Sequence, residues 1–314
     1  MKGTLPTLAT SELDTAGLLA AFAAAISWAF TGIFIRYLHD FSAATIIAGR
    51  CLFALAGATL LLPMGKRKLS FADIFNSSPA WILSLLMVTY YILAVIAFQR
   101  APVGEVSIIM STSPLFALLY RRIQGWSISP SEGSGALIAI LGVPLVAASG
   151  AHSSGFHPTM LNRLSGDGLA FIGSAVMAAY SISYRNINNR KAPSSRAVVF
   201  LTFLIGTVVL GLWLIFHGEA KVAIEHAGNA HNILLFTGLG LGTTVLPTLC
   251  FSFASQKLTS LLATSIRLLS PLLSAILAIV ILHEVPTWIF WPGTILILGG
   301  LYLIMSTKTN IPEN

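Results

Sequence analysis

The amino-acid sequence predicts an all-α membrane protein whose ten transmembrane helices form two inverted five-helix repeats around a central cavity. Three features predict it: apolar runs of spanning length recur along the whole chain, basic residues cluster in alternate connections, and the second half repeats the first. Of the 314 residues, 55% are hydrophobic and 9% charged, against about 25% charged in an ordinary soluble domain. A water-soluble fold cannot hide that much apolar surface. At roughly 20 residues per span, the chain has room for about ten.

The runs fall near residues 16–37, 43–62, 80–98, 103–120, 132–149, 167–184, 197–216, 232–254, 259–281 and 287–305. The first is too long for the apolar region of a secretion signal and is followed by no small-residue cleavage site, so it reads as a span. Polar or helix-breaking separators divide the runs: His39-Asp40, Met64 to Ser78, Gln99 to Pro102, Gln124 to Ser131, residues 150–165, Asn186 to Arg196, and residues 217–231.

Short loops rich in Lys and Arg stay in the cytoplasm. With the N-terminus inside, the cytoplasmic side holds Lys2, Lys66, Arg67, Lys68, Arg121, Arg122, Arg185, Arg190, Lys191, Arg196, Lys257 and Lys308. The outer side holds Arg36, Arg100, Arg163 and Lys221. This bias predicts a multi-pass protein of a bacterial inner (plasma) membrane with both termini cytoplasmic. The net charge of +7 is then a topology signal, and no nucleic-acid partner is expected. Cys51 and Cys250 both sit in apolar runs, which excludes a disulfide framework. All seven histidines (His39, His152, His157, His217, His226, His231, His283) fall in or beside outer loops without the i, i+4 spacing of a metal motif, so no metal and no cofactor are expected.

The halves align in order. Gln99 matches Gln256, Ser113-Pro114-Leu115 matches Ser270-Pro271-Leu272, and Gly135-x6-Gly142 matches Gly293-x6-Gly300; Trp28 lines up with Tyr180 and Thr31 with Ser183. The predicted organisation is a first five-span repeat over 1–150, an outer linker over 151–165 and a second repeat over 166–314. Because five is odd, the second repeat enters the membrane from the opposite side. Such inverted repeats support alternating access to a site at the midplane, which favours a carrier over a channel or an intramembrane enzyme. No phosphate-binding loop for ATP is present.

The sequence resembles the drug/metabolite transporter superfamily, in particular its ten-span EamA-type exporters. Trp28, Arg50 within Ala-Gly-Arg, Tyr90, Glu105 nine residues before Pro114, the Ser-Pro-Leu repeat, the paired glycines and His283-Glu284 carry the resemblance, which spans essentially the whole chain. It implies a helical basket with a central cavity and the export or exchange of small metabolites. The stretch from Tyr90 to Ala101 followed by Glu105 is most similar to exporters of aromatic amino acids, although Tyr91 stands where that group carries an acidic residue. The leaning is therefore towards an amino-acid-like substrate, with export of cationic or apolar drugs as the alternative.

Several polar residues lie inside the apolar runs. Arg50 sits roughly 12 Å below the outer surface, at 1.5 Å per residue, where an unpaired charge costs about 2.5–3.5 kcal/mol on insertion scales. It needs a wet cavity or a partner, and Glu105 is the acidic residue expected to meet it. Arg267 mirrors Arg50 from the other side; each guanidinium fork suits a substrate carboxylate, the alternative for Arg267 being escape to the surface. Trp28, Tyr90, Tyr91, Tyr180 and Tyr184 are candidate chamber aromatics. Pro114 and Pro271 are candidate hinges, and Pro144 and Pro247 also interrupt backbone bonding. Gly238, Gly240 and Gly242 are expected to form a smooth helix surface.

Overall fold

The computed structural model describes residues 14–61, 74–152, 156–187, 193–258 and 260–306. Lys2, Lys66, Arg67, Lys68, Arg190, Lys191 and Lys308 of the charge pattern lie outside the described residues, as does the Arg185 side chain.

Among the described residues, the regular structure is helical apart from one two-residue ladder. Asp14 caps α1 (Thr15–Ala29) by accepting the Gly17 N–H at 2.9 Å, and α2 (Thr31–Tyr37) continues the same run after a break at Phe30. There follow α3 (Ala43–Leu61) and α4 (Ser78–Arg100), the latter capped by Ser77. One apolar run is split into α5 (Val103–Met110) and α6 (Ser113–Ile123). A capping box of Ser129 and Glu132 then opens α7 (Pro130–Ser149), which keeps Pro144 inside a continuous helix.

The second half begins with α8 (Met160–Asn186) and α9 (Ser195–Phe216), followed by the short α10 (Ala220–Ala227). Next, α11 (Ala230–Thr237), a π-helical stretch (Gly238–Val245) and α12 (Leu246–Lys257) run on end to end. The chain closes with α13 (Ser260–Arg267), α14 (Leu269–Leu282) and α15 (Phe290–Ser306). Strands β1 (Ala151–His152) and β2 (Val285–Pro286) pair antiparallel, joining the connections before α8 and before α15.

Among the described residues, eight helical segments are long and apolar enough to cross a membrane, fewer than the ten expected. The two that fall short do so for different reasons. The 17 residues of α15 reach only about 25 Å at 1.5 Å per residue, against a hydrocarbon core of about 30 Å. The 27 residues of α8 are long enough but carry Arg163, Asp167 and Arg185, which dilute the apolar signal. The glycine run is also corrected: Gly238, Gly240 and Gly242 sit in the π-helical stretch and not on a regular helix face.

Packing across the halves is paired. The contacts α7 with α15 and α3 with α9 each join a helix to its own counterpart in the other half, and α5 with α14 joins parts of the equivalent fourth and ninth apolar runs. The contacts α4–α8 and α4–α9 are matched by α1–α12 and by α3 with the π stretch. In the α7–α15 pair the helices run antiparallel, because Gly135 faces the Gly300 carbonyl while Gly142 faces that of Gly293. A Cβ added at Gly135 or Gly142 would stand 2.7 or 2.6 Å from those oxygens, so only hydrogen fits. Gly142→Leu is expected to destabilise the protein by about 1–3 kcal/mol through overpacking, read as a lower unfolding temperature in detergent. Gly133→Leu, with open space around its Cβ position, should leave that temperature unchanged.

Candidate functional site

Two clusters of polar side chains stand out, one near the middle of the helices and one closing an end. In the middle, Arg50 projects from α3, where only 4% of it is exposed. Its Nε donates to the Thr244 hydroxyl at 3.0 Å, and its guanidinium lies 4.3 Å from the centre of the Tyr91 ring. Thr244 belongs to the π stretch, whose widened turns bring residue 244 towards α3. Such π segments recur at functional sites.

Arg267 ends α13, at the break before α14. Its guanidinium faces the Trp28 ring at 5.3 Å and the Phe251 ring at 5.7 Å, and Trp28 and Phe251 pack on each other at 5.4 Å. The side chain is exposed, with its guanidinium flanked by these two rings. Tyr90 is half-buried and lies within electrostatic range of both Arg267 and Arg50.

The remaining aromatics divide. Tyr91 is 7% exposed and stacked on Phe203, which makes it a supporting wall behind Arg50. Tyr180 is half-buried, with its ring 6.2 Å from that of Tyr184. Tyr184 is exposed and shares a 3.1 Å hydrogen bond with Ser195, towards the end of the bundle that carries Asp14. At that end Asp14 also pairs with Lys257 at 3.3 Å, and the Gly17 N–H hydrogen bond together with Lys257 holds the Asp14 carboxyl below its usual range.

The opposite end is latched. Glu284 accepts the Val103 N–H at 2.7 Å at the start of α5 and pairs with Arg36 at 3.1 Å, while Arg36 donates to the Ala101 carbonyl at 2.8 Å. Burial pushes the Glu284 carboxyl above its usual range, and Arg36 and the Val103 N–H oppose that shift. His283, at φ 54°, makes the left-handed turn that ends α14 and directs Glu284 inward; few non-glycine residues adopt this backbone. Thr287 donates to the Ser149 carbonyl at 2.6 Å beside the β1–β2 ladder.

Glu105 belongs to this latch. The expected Arg50–Glu105 pair does not form: Glu105 accepts the Ser149 hydroxyl at 3.1 Å and lies 3.7 Å from Arg163. The reason is helix direction, since Glu105 stands in the first turn of α5 at the latched end while Arg50 is half-way along α3.

Pro114 follows the Ser111-Thr112 break between α5 and α6, and Pro271 follows the break at Leu268 between α13 and α14. The repeated Ser-Pro motif thus marks equivalent interruptions. Near the latched end α5 packs on α14 through a 2.8 Å Ser107–Ser274 hydrogen bond. Among the described residues, α6 and α13 make no comparable contact at the Asp14 end. The structure is closed at one end and looser at the other.

Sequence reasoning missed Thr244, Phe251 and Asp167. The Thr243-Thr244 pair between a glycine run and Pro247 was the available signal for the first. Asp167 was placed at a span end, but α8 starts at Met160, leaving the residue inside the helix with 5% exposure.

The family model for the EamA-like transporter family matches residues 15–148 and 164–306. The chain belongs to the EamA-like transporter family. It is accordingly a multi-pass membrane transporter of the drug/metabolite type, in a family of transporters and not of enzymes, acting on a small molecule within a lipid bilayer. A solved structure titled only "Crystal structure of protein" is similar in fold, with TM-score 0.62 and 19% sequence identity over 92% of this chain and 97% of that one. A comparison with curated proteins returns no match.

The exposure of Arg267 makes a direct expectation. In a background lacking Cys51 and Cys250, Arg267→Cys should react with a charged thiol reagent applied from the Asp14 side. Ile108→Cys, fully buried in the α5 layer, should stay unlabelled; gel shift after reaction with a maleimide polymer reads both.

Proposed function

We propose that the protein is a secondary transporter that exports or exchanges a small amino-acid-like metabolite by alternating access. The observation that carries this reading is Arg267, exposed beside the Trp28 and Phe251 rings, with Tyr90 within electrostatic range of both it and Arg50. Two guanidinium groups among aromatic rings suit a zwitterion or anion with an apolar side chain: the carboxylate takes a charge-assisted fork and the side chain meets Trp28, Tyr90 and Tyr180. A cationic drug would meet two positive charges here, since Glu105 is engaged by Arg163 and Ser149.

The paired contacts and the antiparallel glycine seam support two inverted five-span repeats, with α8 and α15 crossing the membrane as the sixth and tenth spans. Packing against α4, α5 and α6 shelters the polar residues of α8 from lipid. The excess of Lys and Arg at the Asp14 end supports cytoplasmic termini in a bacterial inner membrane. The latch then faces outward, the chamber faces the cytoplasm, and the breaks before Pro114 and Pro271 are the hinges on which the two openings exchange. Trp28, Arg50, Tyr90, Tyr180 and Arg267 are the substrate-contacting residues, with Tyr91 behind Arg50 and Tyr184 at the mouth.

The test is amino-acid counterflow in proteoliposomes. Arg50→Ala and Arg267→Ala should each lower counterflow about ten- to hundred-fold, the loss expected for a hydrogen bond to a charged group, with unchanged elution on size exclusion. Normal counterflow by both variants would remove the arginine clamp. Export of cationic dyes with no amino-acid flux would replace the substrate class.

A further inference from the structure

Three charged residues of the latch do not balance. Arg163 and Asp167 stand four residues apart on α8, hence on one face of the helix. Glu105 approaches that face from α5, which packs on α8. Arg163 lies 3.7 Å from Glu105, donates to the Ala147 carbonyl at 2.8 Å, and is within electrostatic range of Asp167; Asp167 is in turn within range of Glu105. Two carboxylates thus share one guanidinium. Both Asp167 oxygens are buried without a hydrogen-bond partner, and so is one oxygen of Glu105. An uncompensated buried carboxylate is too costly to keep charged.

Neighbouring charges do not supply the missing positive charge. Arg36 is engaged by Glu284 and the Ala101 carbonyl, and Arg100 reaches Ser165 on the exposed side of α8. On α7 the facing group is the Ser149 hydroxyl. On α6 the charged residues Arg121 and Arg122 lie at the far end, where Arg121 pairs with Glu132. His157 and His283 are exposed in the connections at the latched end. A metal cation is disfavoured by the guanidinium beside Glu105, which leaves the proton as the ligand that fits.

We propose that Glu105 and Asp167 form a proton-binding site that holds one proton while the outer latch is shut and releases it when the latch opens. The inference rests on the carrier reading for its meaning: a proton taken up and released on the outer side with the latch ties the latch equilibrium to the outside pH. Protonation leaves Arg163 balanced by a single carboxylate, so acid favours the shut latch. Opening admits water, the surplus carboxylate ionises, and the proton leaves to the outside.

The test follows the latch without needing the substrate. Spin labels at Asp40→Cys and Trp288→Cys, both exposed beside the latch, report its width in the full chain in nanodiscs between pH 5 and 9, with Cys51 and Cys250 replaced. The ratio of shut to open is expected to fall by up to about tenfold per pH unit for a single linked proton. Asp167→Asn and Glu105→Gln should each stay shut across the range, and the double variant, which strands Arg163, should open. A wild-type distance independent of pH would overturn the proposal, as would an unchanged pH response in Asp167→Asn. A response that follows sodium concentration at fixed pH would overturn the proton as ligand. Amino-acid counterflow by the wild-type protein, assayed separately, keeps the carrier reading distinct from this outcome.

Discussion

The structure depends on one constraint: within hydrocarbon, every polar group must find a partner in the protein or in trapped water. The arginines among the helices meet it in three ways. Arg36 and Arg163 take carboxylates, Arg50 takes a hydroxyl and an aromatic face, and Arg267 takes two aromatic faces and solvent. The first solution costs desolvation on both partners and gains most from an immobile geometry, which suits a latch. The second and third leave guanidinium hydrogens free for a guest, which suits a chamber.

The same constraint explains why the two ends differ although the halves are related. The latch needs Glu284, yet the position equivalent to Glu284, taken from the spacing of Gly293 from Gly135, is Trp126, an exposed aromatic. No carboxylate therefore stands at position 126 to play the part that Glu284 plays in the latch. Closing that end must draw on other groups, such as the apolar faces of α6 and α13 and the substrate itself. In the orientation proposed above, a carrier whose outer end is shut by its own ion pairs loads more readily from the inside, the direction that export requires.

Much of this was legible in the sequence because bilayers enforce length and apolarity strongly. The helical architecture, the Ser-Pro breaks and the Gly135/Gly142 seam with Gly293/Gly300 all follow from local patterns that packing did not override. What could not be read is pairing between distant residues. Arg50 was matched to Glu105 because both are charged and near the same side, but depth along the helix decides partners, and α5 begins at Val103, which leaves Glu105 in the latch. Asp167 escaped notice for a related reason: the true start of α8 lies in a stretch of mixed polarity, Met160 to Gly166, where hydropathy marks no boundary.

The π stretch shows how a local irregularity serves the chamber. A wider turn shifts backbone carbonyls out of register with their usual donors, and in Gly238–Val245 the Leu239 carbonyl is served by the hydroxyls of both Thr243 and Thr244. Thr244 therefore donates to its own helix while accepting from Arg50, so the position of the guanidinium is tied to the state of the π turn. Gly240 makes the arrangement possible, since a Cβ there would stand 2.9 Å from the Arg50 carbonyl. If the π turn tightened into a regular helix, Thr244 would rotate away from α3 and Arg50 would lose its hydroxyl acceptor. A substrate carboxylate is the natural replacement, which links occupancy of the chamber to the shape of the helix that borders it.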